Sequence, residues 1–404
     1  MEQVKLWKIL SISFAFAFSL FYELYIFFNI GDFNIYYYAV KIVQDHGFEA
    51  LYTNQYWDLL PLSFWKPFNY FMYLPSTIFI WFYALFLPLE SASIIWRLTR
   101  ICFKLWSLFL LYDLFWTRFK DIKKCFIGLT LFTLGIINYF EASWNQRNSI
   151  ALVLLLLILK LHTTNSFNKY PLIKEMLIAL SWNLFLGFHL ELFLLYLIYL
   201  VIYKWQLKII VLNLLILGLL NLPLIWCGDE LLVRFMKFSA MYRDSDTLSY
   251  TLFGTFTLIF NLNQQIMTLI CISLTSIVES YYLFYKKERD IYKIFSIFFI
   301  CQLLFGIAIW GCYLLLFFPF ALYYAFEKMG EIYFPWLDSS SNEKIAISNL
   351  IKRNIKPMYF FIPFIAICFP IPYLLFSFFG LGQFAIYKRS LPYLCFIDIW
   401  KKKD

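Results

Sequence analysis

Residues 6–28 read LWKILSISFAFAFSLFYELYIFF, and only Lys8 and Glu23 in this stretch carry a charge. As a helix it extends ~35 Å at 1.5 Å per residue, enough for the ~30 Å hydrocarbon core of a bilayer. Inside that core each backbone amide must be paired within its own element, so the stretch reads as a transmembrane helix. A signal peptide has a shorter apolar core ending at a small-residue cleavage site, so a retained first span is expected.

The same reading extends along the chain. Ile94–Trp116, Leu207–Cys227, Ile266–Tyr285 and Tyr359–Phe379 are apolar runs of similar length, and Cys125–Phe140 and Ser149–His162 are shorter ones. Of the 404 residues, 62% are hydrophobic and 15% charged, against about 25% charged in soluble domains. The fold class is therefore an all-α, polytopic transmembrane helical bundle. The net charge of +9 is the signature of basic cytoplasmic loops and gives no reason to expect a nucleic-acid partner. Eight cysteines without a CxxC pair predict neither a metal centre nor a disulfide framework.

Lys5 and Lys8 place the N-terminus in the cytoplasm, and residues 29–70 then face outward. The run Phe71–Leu89 decides the rest. If it crosses, the basic stretch Arg118, Lys120, Lys123 and Lys124 falls outside. If it is a re-entrant or interfacial helix, that stretch falls inside. The later clusters then follow it there: Lys160, Lys169 and Lys174; Lys204 and Lys208; and Lys286, Lys287, Arg289 and Lys293. The non-crossing reading is adopted. The outer loops then hold only Lys41, Lys66, Arg147, Arg234, Lys237 and Arg243. Ile173–Tyr203 is too short for two full crossings, yet both its ends are basic. Either two short helices meet near His189 and turn within an outward cavity, or one long helix tilts across.

No P-loop, dinucleotide fingerprint, HExxH or GxSxG is present. Polar residues at membrane depth carry the chemistry instead. Asp32 follows the first span and is suited to act as a general base or as a helix N-cap. Arg97, Arg100 and Lys104 share one helix face at spacings of three and four. Three cations with no nearby acid suggest a bound anion such as a lipid phosphate, against simple snorkelling. Asn145, Gln146 and Asn148 flank Arg147 in a short outer turn, suited to bind sugar hydroxyls or to cap the next helix. His189 and Glu191 lie at the proposed buried turn. Asp229, Glu230, Asp244 and Asp246 read as a solvated loop. Asp113 and Glu279 are acids within apolar runs, with no role assigned beyond pairing or a wet inner surface.

In order, these segments resemble glycosyltransferase family 87, polyprenol-phosphate-mannose-dependent enzymes of the GT-C superfamily. Asp32-Phe-Asn-Ile-Tyr-Tyr-Tyr-Ala39 is similar to the family's D-x-x-x-Y-Y-x-A opening, and Gly47-Phe-Glu-Ala-Leu-Tyr52 to its G-x-x-x-L-Y step. Phe71-Met-Tyr-Leu-Pro75 looks like F-x-Y-P-P, with Leu74 for the first proline. Pro88 to Trp96 resembles P-x-x-x-A-x-x-x-W, and Asn145-Gln-Arg-Asn148 looks like G-Q-x-N, with Asn145 for glycine. Glu191 stands where the family usually has a lysine. The resemblance covers residues 1–205 well and the remainder in pattern only. It implies a GT-C architecture of about nine to eleven spans. The expected modules are residues 1–228, with a catalytic first outer loop at 29–93, and a variable module at 229–404.

By the same resemblance, a sugar, mannose by analogy, moves with inversion from a polyprenyl-phosphate donor to a hydroxyl of a glycan or glycolipid acceptor. Transfer takes place at the outer face of the plasma or inner membrane, with no cofactor or metal. Asp32 is then the base, Arg97, Arg100 and Lys104 hold the donor phosphate, and Tyr36, Asn145, Gln146, Asn148, His189 and Glu191 bind substrate. The rivals are a transporter or lipid-glycan flippase, which favours inverted repeats not seen here, and a polysaccharide polymerase or ligase, which needs a larger outer loop than 228–250.

Overall fold

The computed structural model describes residues 2–25, 31, 33–53, 57, 73–134, 138, 142, 146–164, 169–203, 207–222, 226, 231, 233–235, 263–305 and 314–328. Among them the regular structure is helical, with no strand. Helix α1 (Glu2–Tyr25) buries Ile12, Ala15, Ser19 and Glu23, a stripe at spacings of three and four, and turns Leu6, Ile9, Phe21 and Leu24 outward. An apolar outer face of that extent suits lipid rather than water. Among the described residues, three helices are long and apolar enough to cross a membrane: Val4–Tyr25, Pro171–Phe188 and Ile266–Tyr285.

Two expected spans differ from their sequence bounds. Ile94–Trp116 lies within α3 (Leu89–Phe119), which at 31 residues is ~46 Å long. Of Leu207–Cys227, the continuous described helix is α8 (Leu207–Leu220), and just beyond it the Asn221 side chain accepts a hydrogen bond from the Ser76 backbone amide. Tyr359–Phe379 lies outside the described residues.

Phe71–Leu89 contains a twelve-residue 3-10 helix, Pro75–Phe86. A 3-10 helix repeats every three residues, so side chains at i and i+3 eclipse. Pro75, Ile78, Trp81 and Ala84 accordingly form one buried row, while Phe79 and Phe86 are exposed. Runs longer than three or four residues are uncommon. This one is held by α2 (Phe33–His46) and α6 (Pro171–Phe188), which pack against it, and by the Leu74 amide donating to the Gly187 carbonyl. Gly187 is required there, since a Cβ would lie 2.9 Å from Thr77 Cγ2.

The long-helix reading of 173–203 is excluded. Helix α6 stops at Phe188, a single 3-10 turn follows at Leu190–Leu192, and α7 runs Phe193–Ile202. Trp182 and Tyr199 lie 17 residues apart, ~25 Å along a continuous helix, yet their ring centroids are 5.0 Å apart. The chain therefore folds back at His189.

The chain packs as two units that interleave in sequence. One comprises Met1–Phe21, Leu108–Tyr139 and Leu248–Asp404; the other Tyr22–Ser107 and Phe140–Thr247. In the first, α4 (Ile122–Leu134) packs on α11 (Leu314–Lys328), with Gly128 so close to Phe115 that a Cβ would lie 2.7 Å from its ring. Charged residues gather at one end of this unit. Arg118 pairs with Asp290 at 2.8 Å and Glu327 at 3.4 Å, Lys124 donates to the Phe326 carbonyl, and Lys8 meets Asp113 at 2.6 Å. In the second unit, α5 (Asn148–Thr163), α6, α7 and α8 lie together. His162 stacks on Tyr203 at 3.9 Å, and Lys208 pairs with Glu175 at 2.8 Å. The other end of this unit joins segments 47–52, 73–88, 146–148 and 187–189.

Candidate functional site

Two connected clusters occupy this last end. The upper one is aromatic and built on α2, whose buried face carries Phe33, Tyr36 and Val40. Tyr36 lies flat on Trp81, with centroids 4.2 Å apart and planes 6° apart. Trp96, from α3, meets both rings edge-on, at 5.8 Å from Tyr36 and 5.5 Å from Trp81. Offset and edge-to-face pairs of this kind add to the energy of burial and fix ring geometry.

Arg147 locks that cluster to the two turns. Its guanidinium lies 3.7 Å over the Tyr73 ring; Nη1 donates to Gln146 Oε1 at 3.0 Å, and Nη2 to the Phe188 carbonyl at 3.0 Å. Phe188 is the last residue of α6, so the arginine satisfies a terminal carbonyl that the helix itself leaves without a partner. The hydroxyl of Tyr36 lies 3.4 Å from both Gln146 Oε1 and Arg147 Nη1. Arg147 is itself the residue preceding α5 and makes no side-chain cap there. The sequence expects it to be an outer-loop charge, yet it is 1% exposed.

The lower cluster begins one residue further along α3. Arg97, Arg100 and Lys104 all converge on Glu23 of α1, at 3.1, 2.9 and 2.7 Å. The expectation that these cations lack an acid is therefore corrected: Glu23, inside the run read as the first span, is that acid. Arg97 also lies 3.4 Å from the Ala142 carbonyl. All four side chains are enclosed by protein, which also removes simple snorkelling as their explanation. Buried ion pairs need good geometry to offset desolvation, and a carboxylate shared by two guanidinium groups and an ammonium provides it.

The structure thus unites Tyr36 and Gln146, with Asn148 and His189 buried in the same unit. Asp32 and Asn145 lie outside the described residues. For Glu191 only the backbone, in the 3-10 turn, is described. Phe33, directly after Asp32 in sequence, stacks on Trp96 at 6.1 Å, and Gly31, directly before it, adopts φ 52°. Around the cluster, burial pushes the Tyr52 and Tyr83 phenols far up, so each serves as a neutral donor, to the Tyr73 and Ala92 carbonyls.

Sequence reasoning missed Glu23 and Arg147. An acid in an apolar run pairs by default with cations at the same depth, and an arginine flanked by three amides in a tight turn has polar partners at hand. Both signals were present. The fully buried aromatic and guanidinium cluster is a scaffold that fixes the loops around it, and the residues it fixes are the ones available to a substrate. No family model matches the chain, and no curated protein or solved structure proves similar to it.

Proposed function

We propose that the protein is a membrane glycosyltransferase of GT-C type that moves a sugar, mannose by analogy, from a polyprenyl-phosphate donor to an acceptor hydroxyl at the outer face, with about nine to eleven spans. The observation that carries this reading is the convergence of Tyr36 on α2, the 146–148 turn and the turn after Phe188 at one end of a unit, beside a buried arginine pair. Asp32 takes the acceptor's proton as the glycosidic bond forms. A donor phosphate held by Arg97, Arg100 and Lys104 has to take them over from Glu23, which pairs with all three inside the protein. Tyr36, Gln146 and Arg147 set the shape of the loops that bracket the sugar.

Sidedness supports the reading without depending on the site. Segments read as cytoplasmic from their basic residues meet one another: 118–124 with 290 in one unit, and 162 with 203 and 175 with 208 in the other. Segments read as external also meet one another, at 52, 73, 147, 188 and 221.

The test is to supply membranes containing the protein with radiolabelled polyprenyl-phosphate-mannose. Label in a glycan or glycolipid, dependent on the protein, is the expected outcome. Movement of the intact labelled lipid between leaflets without transfer would select the flippase reading instead.

A further inference from the structure

Helix α9 (Gln264–Ser280) presents lipid-like side chains over most of its surface, with Ile266, Leu269 and Ile277 exposed. One stripe is different. Cys271, Thr275 and Glu279 recur every four residues and are all buried, with Leu283 completing the row. Residues four apart lie on one helix face, and this face packs against α10 (Ile291–Phe305). Glu279 is 2% exposed, and neither of its side-chain oxygens has a hydrogen-bond partner among the described residues. No cation among the described residues pairs with it. The titratable groups near it are Cys271 on its own helix, Cys301 on α10, and Tyr282 in the turn that follows.

That turn adds a second, independent feature. Directly after Glu279 and Ser280 the helix widens into a π-turn, Tyr281–Tyr285, with the Lys286 amide bonded to the Tyr281 carbonyl. Such widenings cluster at functional positions in helices. An ionised carboxylate enclosed in apolar surroundings without a counter-charge is very costly, whereas the neutral acid is tolerated. Intramembrane acids of this kind mark sites where a proton is held and exchanged.

We propose that Glu279 is an intramembrane proton-binding site, a neutral carboxylic acid open to lipid-soluble carbodiimides and closed to water-soluble ones. The chemistry is an addition. The acid proton passes to a carbodiimide nitrogen, the carboxyl oxygen bonds to the central carbon, and the O-acylisourea rearranges to a stable N-acylurea. The whole reagent is retained and nothing leaves.

The experiment treats the full chain in lipid vesicles with dicyclohexylcarbodiimide and maps the added mass by peptide mass spectrometry. The expected result is a single adduct on the peptide containing Glu279, none there with a water-soluble carbodiimide, and its loss in Glu279→Gln. Absence of the adduct in the unsubstituted protein would show the group to be ionised or paired, and would overturn the proposal. Equal labelling by the water-soluble reagent would also overturn it. Because the first arm uses the unsubstituted chain, the outcome does not depend on whether Glu279→Gln folds. This site and the outer-face transfer reading stand or fall separately.

Discussion

At Glu23 one enclosed carboxylate meets three cations, and removing it leaves them buried without that compensation. Breaking a buried ion pair from one side costs ~3–5 kcal/mol. Glu23→Gln keeps the shape but loses the charge, so thermal melting in detergent should show a loss on that scale; an unchanged melting temperature would contradict the buried network. Arg100→Gln tests the other half of the argument. If the arginine pair holds the donor phosphate, KM for the lipid donor rises more than KM for the acceptor. Equal effects on both would leave Arg100 a purely structural partner of Glu23. Arg147→Lys keeps the charge but loses the planar fork and the face-on contact with Tyr73, neither of which an ammonium reproduces. A stability loss of ~1–2 kcal/mol is expected, with no loss if the guanidinium contacts are incidental.

At the scale of elements, the 3-10 helix makes a sharp prediction because its period is three. Single cysteines at Phe79 and Phe86 should react with an impermeant maleimide added from outside, while cysteines at Ile78 and Ala84 should be protected. Reaction from the cytoplasmic side would mean that 71–89 crosses the bilayer after all. The existence of this segment was legible in the sequence, since the basic stretch 118–124 after it argued against a span. Its 3-10 form was not, because tertiary contact with α2 and α6 selects it over an α-helix. The break at His189 was legible as one of two alternatives, and packing of Trp182 on Tyr199 decides between them. The end of α8 at Leu220 had a signal in the sequence, Pro223, which cannot continue a helix, even though the apolar run extends to Cys227. What the sequence does not show is that the Asn221 side chain at this end meets the Ser76 amide, 145 residues away in the chain.

For the whole molecule, sidedness is an expectation drawn from the basic clusters, and several of the clusters meet one another within each unit. The residues that join those clusters are acids the sequence could not pair, since Asp290 and Glu327 are far from Arg118 in the chain. A local contact in the 286–293 segment carries a pH dependence. Burial alone would raise the Glu288 carboxyl, but the Lys293 ammonium at 2.7 Å, with the Asp290 and Arg289 amides, holds it below its ordinary value. A depressed carboxylate contributes stability that is fully present above its unfolded pKa and is lost as pH falls through the folded one. Acidification below the ordinary carboxylate range should therefore loosen the 286–293 turn, read by faster hydrogen exchange there. Glu288→Gln should remove that acid-dependent step. A turn whose exchange protection ignores pH in both proteins would contradict the assigned contact.

The most direct test of the proposed function is turnover by purified Asp32→Asn protein supplied with labelled polyprenyl-phosphate-mannose and acceptor. Asparagine is nearly isosteric and is itself a good N-cap, so a merely structural aspartate would be spared. If Asp32 is the general base, turnover falls by roughly 10²–10⁴-fold while donor binding and melting temperature are unchanged. Turnover near that of the unsubstituted protein would contradict the account and move the base to another residue.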